Sequence, residues 1–174
     1  MKRLFSIGVL GLMLLAASAV KAQEDKSLRP SPPAFVKQKL GDVTVSIDYS
    51  QPSVKGRTIG ADLEPKAGTV WRTGANEATV FEVDQDIMVE GKSLPKGKYG
   101  LFTIMNGDDW TIIFNKIWKQ WGAFSYNEAE DALRVSVKSG KADPFSEKMT
   151  FLIDENGKVS LLWGGIKVVF TIKH

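Results

Sequence analysis

Val43-Thr44-Val45-Ser46-Ile47-Asp48-Tyr49 is the stretch whose reading decides the fold. Val43, Val45, Ile47 and Tyr49 fall on one side of an extended chain, and Thr44, Ser46 and Asp48 on the other. Strict alternation of this kind marks a strand with one buried face and excludes an amphipathic helix. Outward from it, similar short runs recur at residues 78–83, 87–90, 98–104, 110–115, 133–138, 148–153, 159–163 and 166–172. Between them lies turn chemistry: Glu90-Gly91, Lys96-Gly97 preceded by Pro95, Asn156-Gly157 and Gly164-Gly165. The last two pairs predict a three-strand antiparallel meander over residues 148–173. The pattern as a whole predicts an all-β domain, an antiparallel β-sandwich or jelly roll, with a partly closed barrel as the neighbouring alternative. One or two short helical turns at most are expected, the best candidate being residues 127–133. Trp110, Phe114, Phe102 and Phe170 sit on alternating strand positions and are assigned to the core.

The 174 residues include no cysteine and one histidine, His174. Folding therefore rests on a packed apolar interior, which 43% apolar content can supply. A metal site built on thiolate or imidazole has no ligands to use, so neither a metal nor a cofactor is assigned. Residues 1–22 run from Lys2 and Arg3 through an apolar stretch to Val20-Lys21-Ala22, the order of a secretory signal peptide cut before Gln23. The expected product is exported to the periplasm or beyond the cell, with no stable membrane span after processing. Loss of Lys2, Arg3 and Lys21 takes 23 basic residues to 20, against 20 acidic ones. The mature chain is near neutral, which argues against nucleic acid as a partner. Residues 23–36, with Pro30, Pro32 and Pro33, read as a polar tether ahead of a single domain over 37–174.

Residues 51–76 break the strand pattern with prolines and glycines and show no period. An ordered connection of this length is commonly a binding loop or a packed Ω-loop. It contains Arg57 and the compact run Val70-Trp71-Arg72-Thr73-Gly74-Ala75-Asn76-Glu77-Ala78. A second irregular stretch, 118–126, carries Trp118, Trp121, Phe124 and Tyr126. Arg57, Trp71, Arg72, Asn76, Glu77 and Trp121 form the candidate binding set. Guanidinium forks suit carboxylate or phosphate, an indole face suits a sugar ring, and amide and carboxylate groups add specificity. Beside that reading stands a structural one, in which Arg72 or Arg57 pairs with Glu77 and fastens the loop. The aromatics of 118–126 divide likewise between a ligand platform and core packing, the commoner role.

Asp108-Asp109 and the pair Asp84 and Asp86 read as turn formers, and Asp154-Glu155-Asn156-Gly157 as a hairpin turn. No nucleophile elbow is present and no interior histidine can serve as base, so no catalytic residue is assigned.

Four segments carry a resemblance: residues 49–57, 70–79, 94–102 and 121–126. In that order they resemble the domain of unknown function 2911 family of secreted bacterial proteins. The resemblance implies export and brings no activity or catalytic residue with it. The leading expectation is a domain that binds carbohydrate or peptide through loops 51–77 and 118–126. A hydrolase using Glu77 as general acid or base, and an envelope structural protein without a small ligand, are the alternatives.

Overall fold

The computed structural model describes residues 25–174. The signal peptide and cut at Gln23 expected from the sequence lie outside the described residues. The described residues form an all-β, antiparallel sandwich of nine strands: β1 (Pro33–Leu40), β2 (Val43–Ser50), β3 (Thr79–Val83), β4 (Ile87–Val89), β5 (Lys92–Leu94), β6 (Gly97–Asn106), β7 (Asp109–Asn115), β8 (Asp131–Ile153) and β9 (Lys158–Lys173). Their lateral order is β1-β2-β3-β6-β7-β8-β9-β4-β5. Two 3-10 turns complete it, Lys26–Leu28 and Glu128–Glu130, the second inside the stretch expected to turn. Among the described residues no helix is long and apolar enough to cross a membrane.

Alternation places Val43, Val45, Ile47 and Tyr49 in the main core, with Asp48 exposed. They meet Phe81, Phe114, Phe151, Trp163 and Phe170 there. Edge-on ring contacts cross the interior: Tyr49 to Phe151 at 5.1 Å and Phe114 to Phe170 at 5.9 Å between ring centroids. Trp110, Phe114, Phe102 and Phe170 are all buried, as the strand pattern requires.

The meander over 148–173 resolves differently. Asn156-Gly157 does close a hairpin, with Gly157 at φ 77°, but Gly164-Gly165 does not turn. β9 passes straight through it, and β8 likewise joins two expected strands into one. Gly164, at φ 60°, pairs with Ser146 where the β8–β9 register shifts on both sides. A positive-φ glycine serves a bulge as readily as a turn, and here it bends one long strand.

The expected tether also ends early. Residues 33–36 already belong to β1, an edge strand that opens on Pro33 and carries Lys37 and Lys39. Proline and lysine are what a sheet edge tolerates, and they disguise it as linker in the sequence.

Candidate functional site

Where β3 stops pairing with β6, at Leu101, the irregular loop takes over the vacated edge. Trp71 bridges Thr103 with backbone hydrogen bonds of 2.8 and 2.9 Å, and Ala67 bridges Met105. The lower part of the loop is fastened to β8: the Val54 N–H donates to Glu147 O at 2.8 Å, and the Met149 N–H to Pro52 O at 2.9 Å. Trp163 Nε1 donates to Glu64 O at 2.8 Å from the far side. Residues 51–76 are thus a packed loop with its own ties.

Backbone geometry then sorts Val70–Ala78 by direction. Trp71 is only 2% exposed, and its indole N–H donates to Gly74 O at 3.0 Å. Thr73, at φ 49°, is buried and its carbonyl accepts from the Thr79 hydroxyl at 2.8 Å. Gly74 allows this approach: a Cβ there would stand 2.9 Å from Thr79 Oγ1 and 3.1 Å from Ser50 O. Trp71, Thr73 and Gly74 therefore pin the loop into the core. The indole face offered to a sugar ring in the sequence reading is spent on packing.

Arg72 points elsewhere. It lines a cleft of about 190 Å³ together with Arg57, Glu64, Trp71 and Trp163. Its Nε is sealed from solvent without a hydrogen-bond partner among the described residues. Burial pulls the guanidinium below the ordinary arginine range, against the opposing pull of the Glu64 charge. Arg57 is tied to its own turn, donating to Val54 O at 3.1 Å and Ser53 O at 2.8 Å. Larger hollows lie beside Phe145 and Leu152, about 410 Å³, and beside Leu40 and His174, about 320 Å³. No buried group without a partner lines either of them.

The expected Arg72–Glu77 pair is not made. Glu77 pairs instead with Lys26 at 2.8 Å and with Arg29 at 2.9 Å, from the segment read as tether. Asn76, at φ 58°, donates its side-chain amide to Ser31 O at 3.0 Å. Trp121 bridges Glu77 through the backbone and carries the Arg29 guanidinium 5.7 Å from its ring centroid. Core packing does not hold for the neighbouring aromatics. Trp121 is 54% exposed, Phe124 is 86% exposed, and Trp118 is also exposed. Only Tyr126 is drawn inward, its hydroxyl donating to Asp131 at 2.8 Å and accepting from Arg134 at 2.6 Å. That contact anchors the 118–126 loop to β8.

Residues 31–172 match the family described as Protein of unknown function (DUF2911). The chain belongs to that family. No match is found among curated proteins or among solved structures. Within this DUF2911 domain the six candidate residues divide into two groups. Arg57, Trp71 and Arg72 surround the cleft, while Asn76, Glu77 and Trp121 hold residues 26–31. Lys26, Arg29 and Trp163 contribute from outside the two irregular loops and were not legible as site residues, and Glu64, inside the first loop, has no local pattern that sets it apart from a solvated acid.

Burial raises the Glu77 carboxyl, but hydrogen bonds from Lys26, its own backbone and Arg29 outweigh it and bring it down to about 2. A depressed acid stabilises the folded state above its unfolded value, near 4.5, and that contribution is lost as pH falls toward 2. Asp48, which shares a small hollow with Lys26 and Glu77, is pushed the opposite way by partial burial, against the pull of Lys26. Glu77 is 38% exposed at its side chain, so screening keeps the effect small. Glu77→Gln is expected to melt about 2–4 °C below the parent at pH 7, for a loss of about 1 kcal/mol, and level with it near pH 2. Melts at both pH values check this; a gap that persists near pH 2 would assign the loss to another cause.

Proposed function

We propose that this domain binds a small carboxylate-bearing ligand in the Arg72 cleft. One observation carries the reading: a partly buried guanidinium, with an Nε sealed from solvent, that makes no hydrogen bond among the described residues. Leaving a buried donor unpaired costs about 1–3 kcal/mol, more for a charged one, and protein sites that keep such a group commonly have a use for it. A carboxylate would take charge-assisted bonds from the part of the guanidinium that lines the cleft. Glu64, on the same wall, would accept from a hydroxyl or amide next to that carboxylate.

At about 190 Å³ the cleft is smaller than the roughly 300–1,000 Å³ of sites for drug-sized ligands, so it suits one acidic ring or one chain terminus. Acidic sugars and peptide C-termini share that chemistry. Glu77 suits general acid or base work poorly, since it is ionised and held by two cations, and its carboxyl sits at about 2.

Calorimetric titration with galacturonate against galactose, and with acetyl-dialanine against its amide, tests the proposal and separates the two sources. Saturable binding is expected for at least one acid and for neither neutral counterpart. Arg72→Gln should weaken it by about 10-fold or more, as for a lost charge-assisted bond. Arg72→Met should melt no lower than the parent, with a gain of up to about 1 kcal/mol from removing a desolvated charge. Equal binding by Arg72→Gln, or none by the parent protein, would overturn the proposal.

A further inference from the structure

We infer that the face built by Glu77, Trp121, Asn76 and Gln51 is a binding site for an arginine-bearing peptide, which residues 26–32 of this chain occupy as an intramolecular stand-in. The site adjoins the Arg72 cleft, whose wall includes Ser31 of the stand-in, and takes the opposite charge.

The contacts are those of peptide recognition. Arg29 Nη1 donates to both carboxylate oxygens of Glu77, at 3.1 and 2.9 Å, and its guanidinium stacks toward the Trp121 ring. A carboxylate on one side and an indole on the other select guanidinium by charge and by shape. The backbone is read separately: Ser31 O accepts from Asn76 Nδ2, and Pro32 O from the Gln51 N–H at 2.8 Å. Lys26 adds a second cation, in a hollow of about 110 Å³ shared by Glu77 and Asp48. The Arg29 side chain is 14% exposed, so its seat is a formed one, although the segment around it lies on the surface.

What holds the segment is correspondingly exchangeable. Its 3-10 turn buries no residue, and Leu28 is 82% exposed, so no apolar anchor fixes it. The Lys26 pair is exposed and screened by salt, the Arg29 pair is sheltered on one side only, and ordering the segment costs conformational entropy. Its advantage is tethering: a linked segment competes at an effective concentration on the order of millimolar. A free peptide of the same chemistry displaces it only above that level, unless the stand-in is weakened first.

The test uses the full chain as the K26A/R29A variant and an acetylated, amidated Lys-Ser-Leu-Arg-Pro-Ser-Pro peptide, which spans residues 26–32, followed by indole fluorescence. Both substituted side chains lie outside the core, and circular dichroism confirms the fold. Saturable binding is expected in the variant, about 10-fold or more weaker in the parent protein, and lost when the peptide arginine is glutamine or when Glu77→Gln is added. Absence of saturable binding by the folded variant, equal affinity in the parent, or equal binding of the glutamine peptide would each overturn the inference. The probe is a cation read at Trp121, whereas the cleft is probed by anions, so either reading can fail without the other.

Discussion

Phe114→Ala is expected to destabilise the domain by about 3–5 kcal/mol, the range for truncating a fully buried phenylalanine. Phe114 is 0% exposed on β7, near the middle of the strand order. Its ring meets Phe81 at 5.0 Å, Tyr99 at 6.4 Å and Phe170 at 5.9 Å, each nearly edge-on. Such pairs add about 0.5–1.5 kcal/mol beyond the area they bury, and alanine loses all three while leaving a cavity that strands on both sides cannot collapse to fill. Domains of this kind are stable by about 5–15 kcal/mol, so one substitution would remove a large share. Urea unfolding checks it, with Phe124→Ala as the control: that ring is 86% exposed, and its loss should shift stability by about 0.5 kcal/mol or less. A cost below about 1 kcal/mol at Phe114 would mean that the ring cluster is not the centre of the core.

The same contrast explains what the sequence made legible. Phe114 and Phe124 are the same residue type, but Phe114 lies on an alternating strand, where period two assigns its face, and Phe124 lies in a loop, where no period applies. Alternation therefore located β2, β3, β6 and β7 to within a residue or two, while in the 118–126 loop the core reading holds for Tyr126 and fails for Trp118, Trp121 and Phe124. Glycine carried too little information to separate a hairpin from a bulge at Gly164, because both accept positive φ and only the partner strand decides. β1 was hidden by the proline and lysines that suit an edge.

The candidate site was legible as two loops and not as a constellation. Arg72 and Glu77 are five residues apart in a turn, and sequence proximity suggested a pair. Positive φ at Thr73 and Asn76 reverses the chain between them, so that one side chain meets the cleft and the other meets Arg29. The partners that settle the matter are distant: Arg29 lies 48 residues before Glu77, and Trp163 is 99 residues beyond Glu64. No local pattern encodes such a separation.

Trp163 is where core stability and the cleft are coupled, and Trp163→Ala is expected to cost about 3–5 kcal/mol while loosening the loop above it. The indole is 1% exposed and packs with Trp71 and Met149 in the main cluster. Its N–H, pointing out of that cluster, donates to Glu64 O at 2.8 Å and holds the cleft wall. Two variants separate these roles. Trp163→Phe keeps most of the apolar ring but leaves Glu64 O without its donor, which should cost about 1–3 kcal/mol. Both variants should speed protease cleavage within residues 53–66, since that wall loses the same hydrogen bond in each, and only the alanine should add the full cavity cost. Urea midpoints give the stability, and the cleavage rate under native conditions gives the loop. If the phenylalanine variant matched the parent protein in both, the indole N–H would have no part in holding the cleft, and the shape of the Arg72 site would have to rest on the ties to β6 and β8.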